Sequence, residues 1–355
     1  MSVPPLRVGL LGYGLAGRAF HAPLIAATPG LVLAAVVTRD PDRRAQLAAA
    51  HPDAAVLDTA EQLWARAGQL DLVVVATTNR SHVPLARAAL EAGLAVVVDK
   101  PFAASSASAR ALIADARARK RQLTVFQNRR WDGDFLTVQQ LVKADALGPI
   151  YRFEARFERW NPLPKVGWRE LGEPEEAGGL LFDLGSHLID QALRLFGPVR
   201  TVYAELDRRR AGVTVDDDTF VALTHASGTR SHLWMTKVAA QRAPRFRLLG
   251  GRAAFTKYGL DGQEAAMAGG SVPGSPGWGT EPPERWGIVE TDGATRAIPT
   301  EPGAYPRFYE AVASAIRTGG AMPVDPDDAV AGLEIIEAAQ RSAARGEVVQ
   351  LGKPS

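Results

Sequence analysis

Cysteine is absent from all 355 residues. Its absence excludes disulfides, zinc–thiolate sites and a cysteine nucleophile, and it fits a reducing compartment. Long apolar runs are also missing: none approaches about 18 residues, so no membrane-spanning helix is expected. Net charge is scarce. Lys+Arg number 41 and Asp+Glu 39, leaving +2. So even a balance gives no reason to expect a nucleic-acid or membrane partner, and the basic runs Arg117–Arg121 and Arg208–Arg210 are read as solvated faces. The N-terminal Met-Ser-Val-Pro-Pro lacks a basic stretch followed by an apolar one, so no secretory leader is expected, and the expected compartment is the cytoplasm. Lysine is rare beside arginine: Lys100, Lys120, Lys143, Lys165, Lys237, Lys257 and Lys353. Against that background a lysine at the end of an apolar strand stands out.

What is present is an ordinary globular composition, 46% hydrophobic and 23% charged, in a length that suggests two domains. Strand patterns at Arg7–Leu11, Val32–Thr38, Ala54–Leu57, Leu72–Ala76, Ala95–Asp99 and Leu123–Gln127 alternate with helical ones. Val73-Val74-Val75 and Val96-Val97-Val98 are continuous β-branched runs, as strands covered on both faces require. Alternation of this kind predicts a doubly wound parallel sheet. Beyond residue 127 the pattern changes to longer alternating strands, such as Ile150–Trp160, with Phe153, Ala155 and Phe157 on one face. The expected fold class is α/β plus α+β: a parallel-sheet domain over 1–126 and, over 127–355, an open, mostly antiparallel sheet domain with C-terminal helices.

The run Leu6–Leu11 enters Gly12-Tyr13-Gly14-Leu15-Ala16-Gly17, and a helical pattern follows to about Ala27. Strand, Gly-x-Gly-x-x-Gly and helix in this order are what a Rossmann dinucleotide site requires. The first glycine makes the tight turn, the second admits the pyrophosphate, and the third lets helix and strand pack closely beside the helix N-terminus. Gly12, Gly14, Leu15, Ala16 and Gly17 are the expected cofactor contacts. Strand two ends in Thr38-Arg39, where an NAD site usually carries an acid. Arg39 suits a 2′-phosphate that a carboxylate would repel, so NADP is expected over NAD. In the competing reading Arg39 is solvated and Asp40 binds ribose, or Asp40 caps the next helix. Strand four ends in Thr77-Thr78-Asn79, followed by Ser81-His82. Ligands lie beyond the carboxyl ends of such strands, so Thr77, Asn79 and His82 are cofactor candidates. The alternative is that Thr78 or Asn79 caps the next helix.

Strand five ends in Val98-Asp99-Lys100-Pro101. An ammonium there can donate to a substrate oxygen and stabilise developing alkoxide, and a cationic nicotinamide beside it eases loss of its proton. Downstream, Asp183 and His187 are four apart and share one helical face. His187 can take a hydroxyl proton as hydride leaves the carbon, with Asp183 orienting substrate or imidazole. The alternative, which spacing by itself favours, is an acid at a positive helix start and a satisfied core histidine. No third ligand accompanies them, so no metal is expected. Asn161, Trp168 and Arg169 in a loop, and Tyr258, are candidate contacts to polyol hydroxyls, with surface or packing roles as the equal alternative. Arg129 and Arg130 serve the cofactor or are solvated.

Taken together, Gly12–Gly17, Asp99-Lys100-Pro101 and Asp183-Leu184-Gly185-Ser186-His187 resemble the Gfo/Idh/MocA oxidoreductases over nearly the whole chain. Asp99 departs from the usual Glu-Lys-Pro, conservatively in charge. The resemblance implies that Lys100, Asp183 and His187 line the substrate site and that the peptide before Pro101 is cis. Leu11 through His21, Gln127-Asn128-Arg129-Arg130-Trp131-Asp132, Asp183 through Gln191 and Lys257 through Glu264 look like the NADP-dependent scyllo-inositol dehydrogenase subgroup. That closer resemblance implies NADP, with Asp99, Lys100 and Asn128 among its contacts, and hydride transfer at a hydroxyl or keto carbon of a cyclitol or sugar. The rival is a catalytically silent dinucleotide-sensing regulator of the same fold. A homodimer or homotetramer through the C-terminal sheet is expected, with Phe220, Leu233 and Met235 helping to cover its second face.

Overall fold

A computed structural model of the chain describes residues 4–164 and 176–352. Trp168 and Arg169 lie outside the described residues. Two compact units are present: Met1–Trp131 with Gln263–Trp278 and Ala304–Val330, and Asp132–Gly262 with Gly279–Gly303 and Ala331–Ser355.

In the first unit, β1 (Leu6–Leu11), β2 (Leu31–Val37), β3 (Ala55–Leu57), β4 (Leu72–Val75), β5 (Ala95–Val98) and β6 (Leu123–Val125) form a six-stranded sheet in the order β3-β2-β1-β4-β5-β6. Every pairing is parallel. The valine runs of β4 and β5 are fully buried. Each such valine contributes about 1.5–3 kcal/mol of burial, which is why these segments have no polar face. Leu11 pairs with Val37 and Val75, Val75 with Val98, and Val98 with Val125. The residues that follow, Gly12, Thr38, Ala76, Asp99 and Phe126, therefore leave the sheet at one edge. Strand order reverses between β1 and β4, the place where open α/β sheets bind ligands.

Edge strand β6 is covered by the returning chain, which blunts its free backbone groups. Thr124 Oγ1 donates to Val324 O at 2.8 Å, and Gln122 Nε2 donates to Ala315 O and Gly320 O. Phe308, in the Pro306–Thr318 helix, meets Phe126 edge-on at 4.9 Å. Arg129 and Arg130 are buried and paired with Glu264 and Asp328, each at 2.9 Å. They are not solvated, as one reading of the sequence had it, because the returning segments bring carboxylates to them.

The second unit holds β7 (Ile150–Glu158), β8 (Val199–Asp207), β9 (Asp218–His225), β10 (Arg230–Thr236), β11 (Phe246–Gly250), β12 (Ala254–Lys257), β13 (Gly287–Thr291), β14 (Ala294–Ile298) and β15 (Val349–Gln350), which form a nine-stranded sheet in the order β14-β13-β12-β11-β7-β10-β9-β8-β15. Only β7 and β10 pair in parallel; the rest is antiparallel. Phe153, Ala155 and Phe157 lie on the buried face. Leu233 and Met235 correct the expectation that they cover the second face: both are fully buried, and Met235 abuts Gly185 at the start of the helix over the sheet. Side chains alternate between faces with period two, and Phe220 pairs in register with Trp234. Phe220, Trp234 and His232 therefore share the opposite face, where Arg156 lies 4.0 Å over the Trp234 ring.

Among the described residues no helix is long and apolar enough to cross a membrane, and no group of three or more His, Asp or Glu residues could hold a metal ion.

Candidate active site

Gly12 has φ +95°, and a Cβ there would fall 2.5 Å from Ala76 O. A Cβ on Gly17 would fall 2.1 Å from Gly12 O. The chain itself demands both glycines. Gly14 differs: apart from its chain neighbours, a Cβ would meet only Arg43 Nη1, at 3.8 Å. Nothing among the described residues requires glycine there, and the missing side chain leaves a cradle of the kind a pyrophosphate fills. Leu15 is exposed and Ala16 half-buried beside it. After α-helical Leu15 and Ala16 the segment passes through a π turn, Gly17–His21, before α1 (Ala22–Ala27), where the sequence predicts plain α-helix. Single π turns recur at functional sites.

Thr38 is buried, its N–H donating to Leu57 O at 2.9 Å. Arg39 is exposed and donates from Nε to Asp58 O at 3.0 Å. Asp40 caps α2 (Pro41–Ala50) by accepting the Arg43 N–H at 3.0 Å, the capping alternative raised for it. Arg43 was missed by sequence reasoning; its signal was its place four residues after Arg39, in the first turn of the helix that Asp-Pro-Asp begins.

Asn79 is buried at the start of the 3₁₀ turn Asn79–Ser81. Thr78 offers that turn no side-chain cap; instead Ser81 Oγ lies 2.8 Å from Thr77 Oγ1 and 2.7 Å from Thr78 O. His82 opens α4 (His82–Glu91) fully buried, with Nδ1 2.9 Å from Pro101 O and Nε2 3.3 Å from Thr77 O. Its ring braces the β4 and β5 turns, and burial holds its pKa below the usual histidine value. The Lys100–Pro101 peptide is cis. The Lys100 N–H donates to Asp99 Oδ1 at 2.8 Å. Burial works against the Asp99 charge, but His21, His82 and Lys100 outweigh it and keep the carboxyl below its ordinary range. Asn128 is buried in the turn Asn128–Trp131 after β6.

In the second unit, Asp183 is half-buried within a second π turn, Leu181–Gly185, which runs into the Ser186–Phe196 helix. His187 is 4% exposed, its ring edge-on to Phe157 at 6.5 Å. Asp216 caps this segment: the Leu181 N–H donates to Oδ2 at 2.8 Å and Thr219 Oγ1 at 2.5 Å, while the Leu180 N–H donates to its carbonyl at 3.0 Å. A carboxylate at a helix start satisfies orphan N–H groups and meets the positive end of the dipole, although burial raises its pKa. Asp216 too was missed; its signal was the run Asp216-Asp217-Asp218. Asp217 pairs with buried Arg210 at 2.8 Å, and Arg210 Nη1 donates to Asn161 O at 3.1 Å. The Asn161 side chain is exposed, as is Tyr258 at 59%. The basic runs carry their own counter-charges: Arg117 pairs with Asp327, Arg119 with Glu91, and Arg209 with Asp207 and Asp218.

A glycine turn at the switch edge of a parallel sheet, followed by a lysine-bearing turn on the same edge, defines the class: an NAD-binding Rossmann unit in an oxidoreductase. Residues 6–127 match the model for the oxidoreductase family, NAD-binding Rossmann fold, and residues 139–351 match its C-terminal alpha/beta domain. The chain belongs to the Gfo/Idh/MocA oxidoreductase family. It is 39% identical over 348 residues to the uncharacterised oxidoreductase YdgJ of Escherichia coli (strain K12), covering 95% of this chain and 96% of that protein. It is 33% identical over 353 residues to scyllo-inositol 2-dehydrogenase (NADP(+)) IolW of Bacillus subtilis (strain 168), covering 98% and 97%. The solved structure of yvaA from Bacillus subtilis matches with a TM-score of 0.93 at 32% identity, covering 99% of this chain and 100% of that one.

Proposed function

We propose that this oxidoreductase is an NADP-dependent dehydrogenase or reductase acting at a hydroxyl or keto carbon of a cyclitol or sugar of the scyllo-inositol/scyllo-inosose kind. The observation that carries the reading is the β5 turn: a lysine at the carboxyl end of the strand, its N–H bound by a carboxylate that stays ionised despite burial. The likeness to IolW supports the cyclitol and the cofactor. Arg39 and Arg43 after β2 favour a 2′-phosphate, and the open position at Gly14 fits the pyrophosphate.

In this reading Gly12, Gly14, Leu15, Ala16, Gly17, Thr38, Arg39, Thr77, Asn79, His82, Asp99 and Asn128 serve the dinucleotide, which when bound supplies the ring carbon that accepts or returns hydride. Lys100 donates a hydrogen bond to the substrate oxygen and stabilises its alkoxide character. His187 takes the hydroxyl proton in oxidation and returns it in reduction, with Asp183 orienting the pair. Asn161, Trp168, Arg169 and Tyr258 hold further hydroxyls. The chain acts in the cytoplasm as a homodimer or homotetramer through the C-terminal sheet, whose half-buried Phe220 and Trp234 face supports the reading.

The test is turnover of scyllo-inosose, scyllo-inositol and a panel of sugars with NADPH, NADP⁺ and NADH by the wild type, Lys100→Met, His187→Ala and Arg39→Ala. Losing the oxyanion donor is expected to lower turnover about 10²–10³-fold, and losing the acid–base group about 10²–10⁴-fold. Arg39→Ala should raise KM for NADPH roughly tenfold or more without a matching change for NADH. Wild-type turnover by both site variants overturns the mechanism. NADPH binding without turnover across the panel overturns the enzyme reading in favour of a sensor.

A further inference from the structure

Two residues beneath the Lys100 turn have no part in the proposed reaction. His21 ends the π turn after the glycine loop, and Tyr309 lies in the Pro306–Thr318 helix; both are fully buried. His21 Nδ1 is 2.6 Å from Tyr309 Oη, and its Nε2 is 3.8 Å from Asp99 Oδ1. The second distance is an electrostatic contact, not a formed hydrogen bond. The Phe126 ring packs against the imidazole at 4.3 Å, tilted by 47°. Burial, reinforced by Asp99, keeps the Tyr309 phenol protonated far above its ordinary value. A phenol that retains its proton can donate it to Nδ1, and in that arrangement the imidazole's own proton sits on Nε2, facing Asp99.

We propose that Tyr309 and His21 are positioning residues for the Lys100 turn: Tyr309 selects the Nε2–H form of His21, whose N–H dipole faces the Asp99 carboxylate and helps keep it ionised beside the Lys100 backbone. The inference rests on the proposed role of Lys100. The other groups facing Asp99 are Lys100 on its own turn and His82 from α4. Burial keeps His82 below the ordinary histidine pKa, so it is neutral at pH 7. Of the groups that hold the Asp99 carboxyl down against desolvation, His21 comes ahead of His82 and Lys100, so its removal lets desolvation push the carboxyl up.

The test is the pH profile of kcat/KM in the reducing direction, where His187 must be protonated and adds no acid limb. His21→Asn keeps a partner for Tyr309 but falls short of Asp99. His21→Gln places an amide N–H near the Nε2 position. His21→Asn is expected to move the acid limb up by about one pH unit, roughly a tenfold loss relative to wild type at pH values below both limbs. Tyr309→Phe is expected to move it the same way, and His21→Gln to leave it near wild type. Nitrogen-15 spectra of the histidine-labelled wild type should show His21 protonated on Nε2. An Nδ1–H form in the wild type, or an unmoved limb in His21→Asn and Tyr309→Phe while Lys100→Met is inactive, overturns this inference alone. A fully active Lys100→Met overturns the function it rests on, and the histidine spectra still decide the Tyr309–His21 arrangement.

Discussion

Gly14 and Gly17 stand three residues apart in one motif, and the structure predicts opposite consequences for the same substitution. A Cβ on Gly14 meets nothing nearer than Arg43 Nη1 at 3.8 Å, and the backbone there is open to an ordinary residue. Gly14→Ala should stabilise the free protein by about 0.4–1 kcal/mol through the entropy of the unfolded chain. With roughly 2.1 cal/mol/K of unfolding entropy per residue, that is a rise in Tm on the order of 1 °C for a chain of 355 residues. The same methyl fills the cradle left for the pyrophosphate. Overpacking of about 1–3 kcal/mol translates into a roughly 5- to 150-fold weaker Kd for NADPH. Gly17→Ala drives its Cβ to 2.1 Å from Gly12 O, a backbone atom that cannot step aside. It should lower Tm by a few degrees before any ligand is added, on the same overpacking scale of about 1–3 kcal/mol or more. Thermal denaturation of the free proteins and calorimetric titration with NADPH separate the two. An unchanged Kd in a stable Gly14→Ala would show that the loop is only a turn and would remove the basis for the cofactor cradle.

Two further outcomes follow from buried charge. Lys257 Nζ is buried and reaches Glu281 at 2.9 Å, Arg285 O at 2.7 Å and Tyr258 O at 3.0 Å. Lys257→Met strands the Glu281 carboxylate beside Arg285 alone and should destabilise by roughly 3 kcal/mol, with Lys257→Met/Glu281→Gln recovering most of the loss in urea denaturation; equal stability of the two variants would refute the pairing. Burial raises the Asp134 carboxyl to about 6 against the pull of Arg245. The native state then holds a proton that the unfolded state has released, so stability falls as pH rises from about 4 to 6. Denaturant midpoints across that window should slope for the wild type and flatten in Asp134→Asn; identical slopes would refute the assignment.

The parallel sheet was legible because β4 and β5 must be apolar on both faces, and only a doubly covered strand reads Val-Val-Val. The glycine turn was legible because Gly12 and Gly17 answer local sterics. The return of residues 263–278 and 304–330 to the first unit was not. The pattern of the Pro306–Thr318 helix says that Phe308 and Tyr309 are buried, but not against which partner. Alternation likewise says that Leu233 and Met235 share a face, yet only the covering helix decides that it is the inner one. Strands β13 (Gly287–Thr291) and β14 (Ala294–Ile298) escaped because their hairpin is largely exposed and carries no apolar alternation. Asp292-Gly293 at its turn, with Gly293 at φ +77°, was the available signal.

Asp99 and Asp216 explain why motif spacing alone left His187 and Lys100 open to plainer readings. Each turn that bears a candidate catalytic residue rests on a half-buried carboxylate that accepts a backbone N–H. Each carboxylate is tied to a π turn: His21 at the end of one faces Asp99, and Leu181 at the start of the other donates to Asp216. A π turn has poorer hydrogen-bond geometry than an α turn, and it persists where surrounding contacts over-determine it. A satisfied core histidine or a surface lysine requires no such support. Desolvating a carboxylate is unfavourable unless something must be held in one geometry, and in both units what is held is the backbone that carries the proposed chemistry.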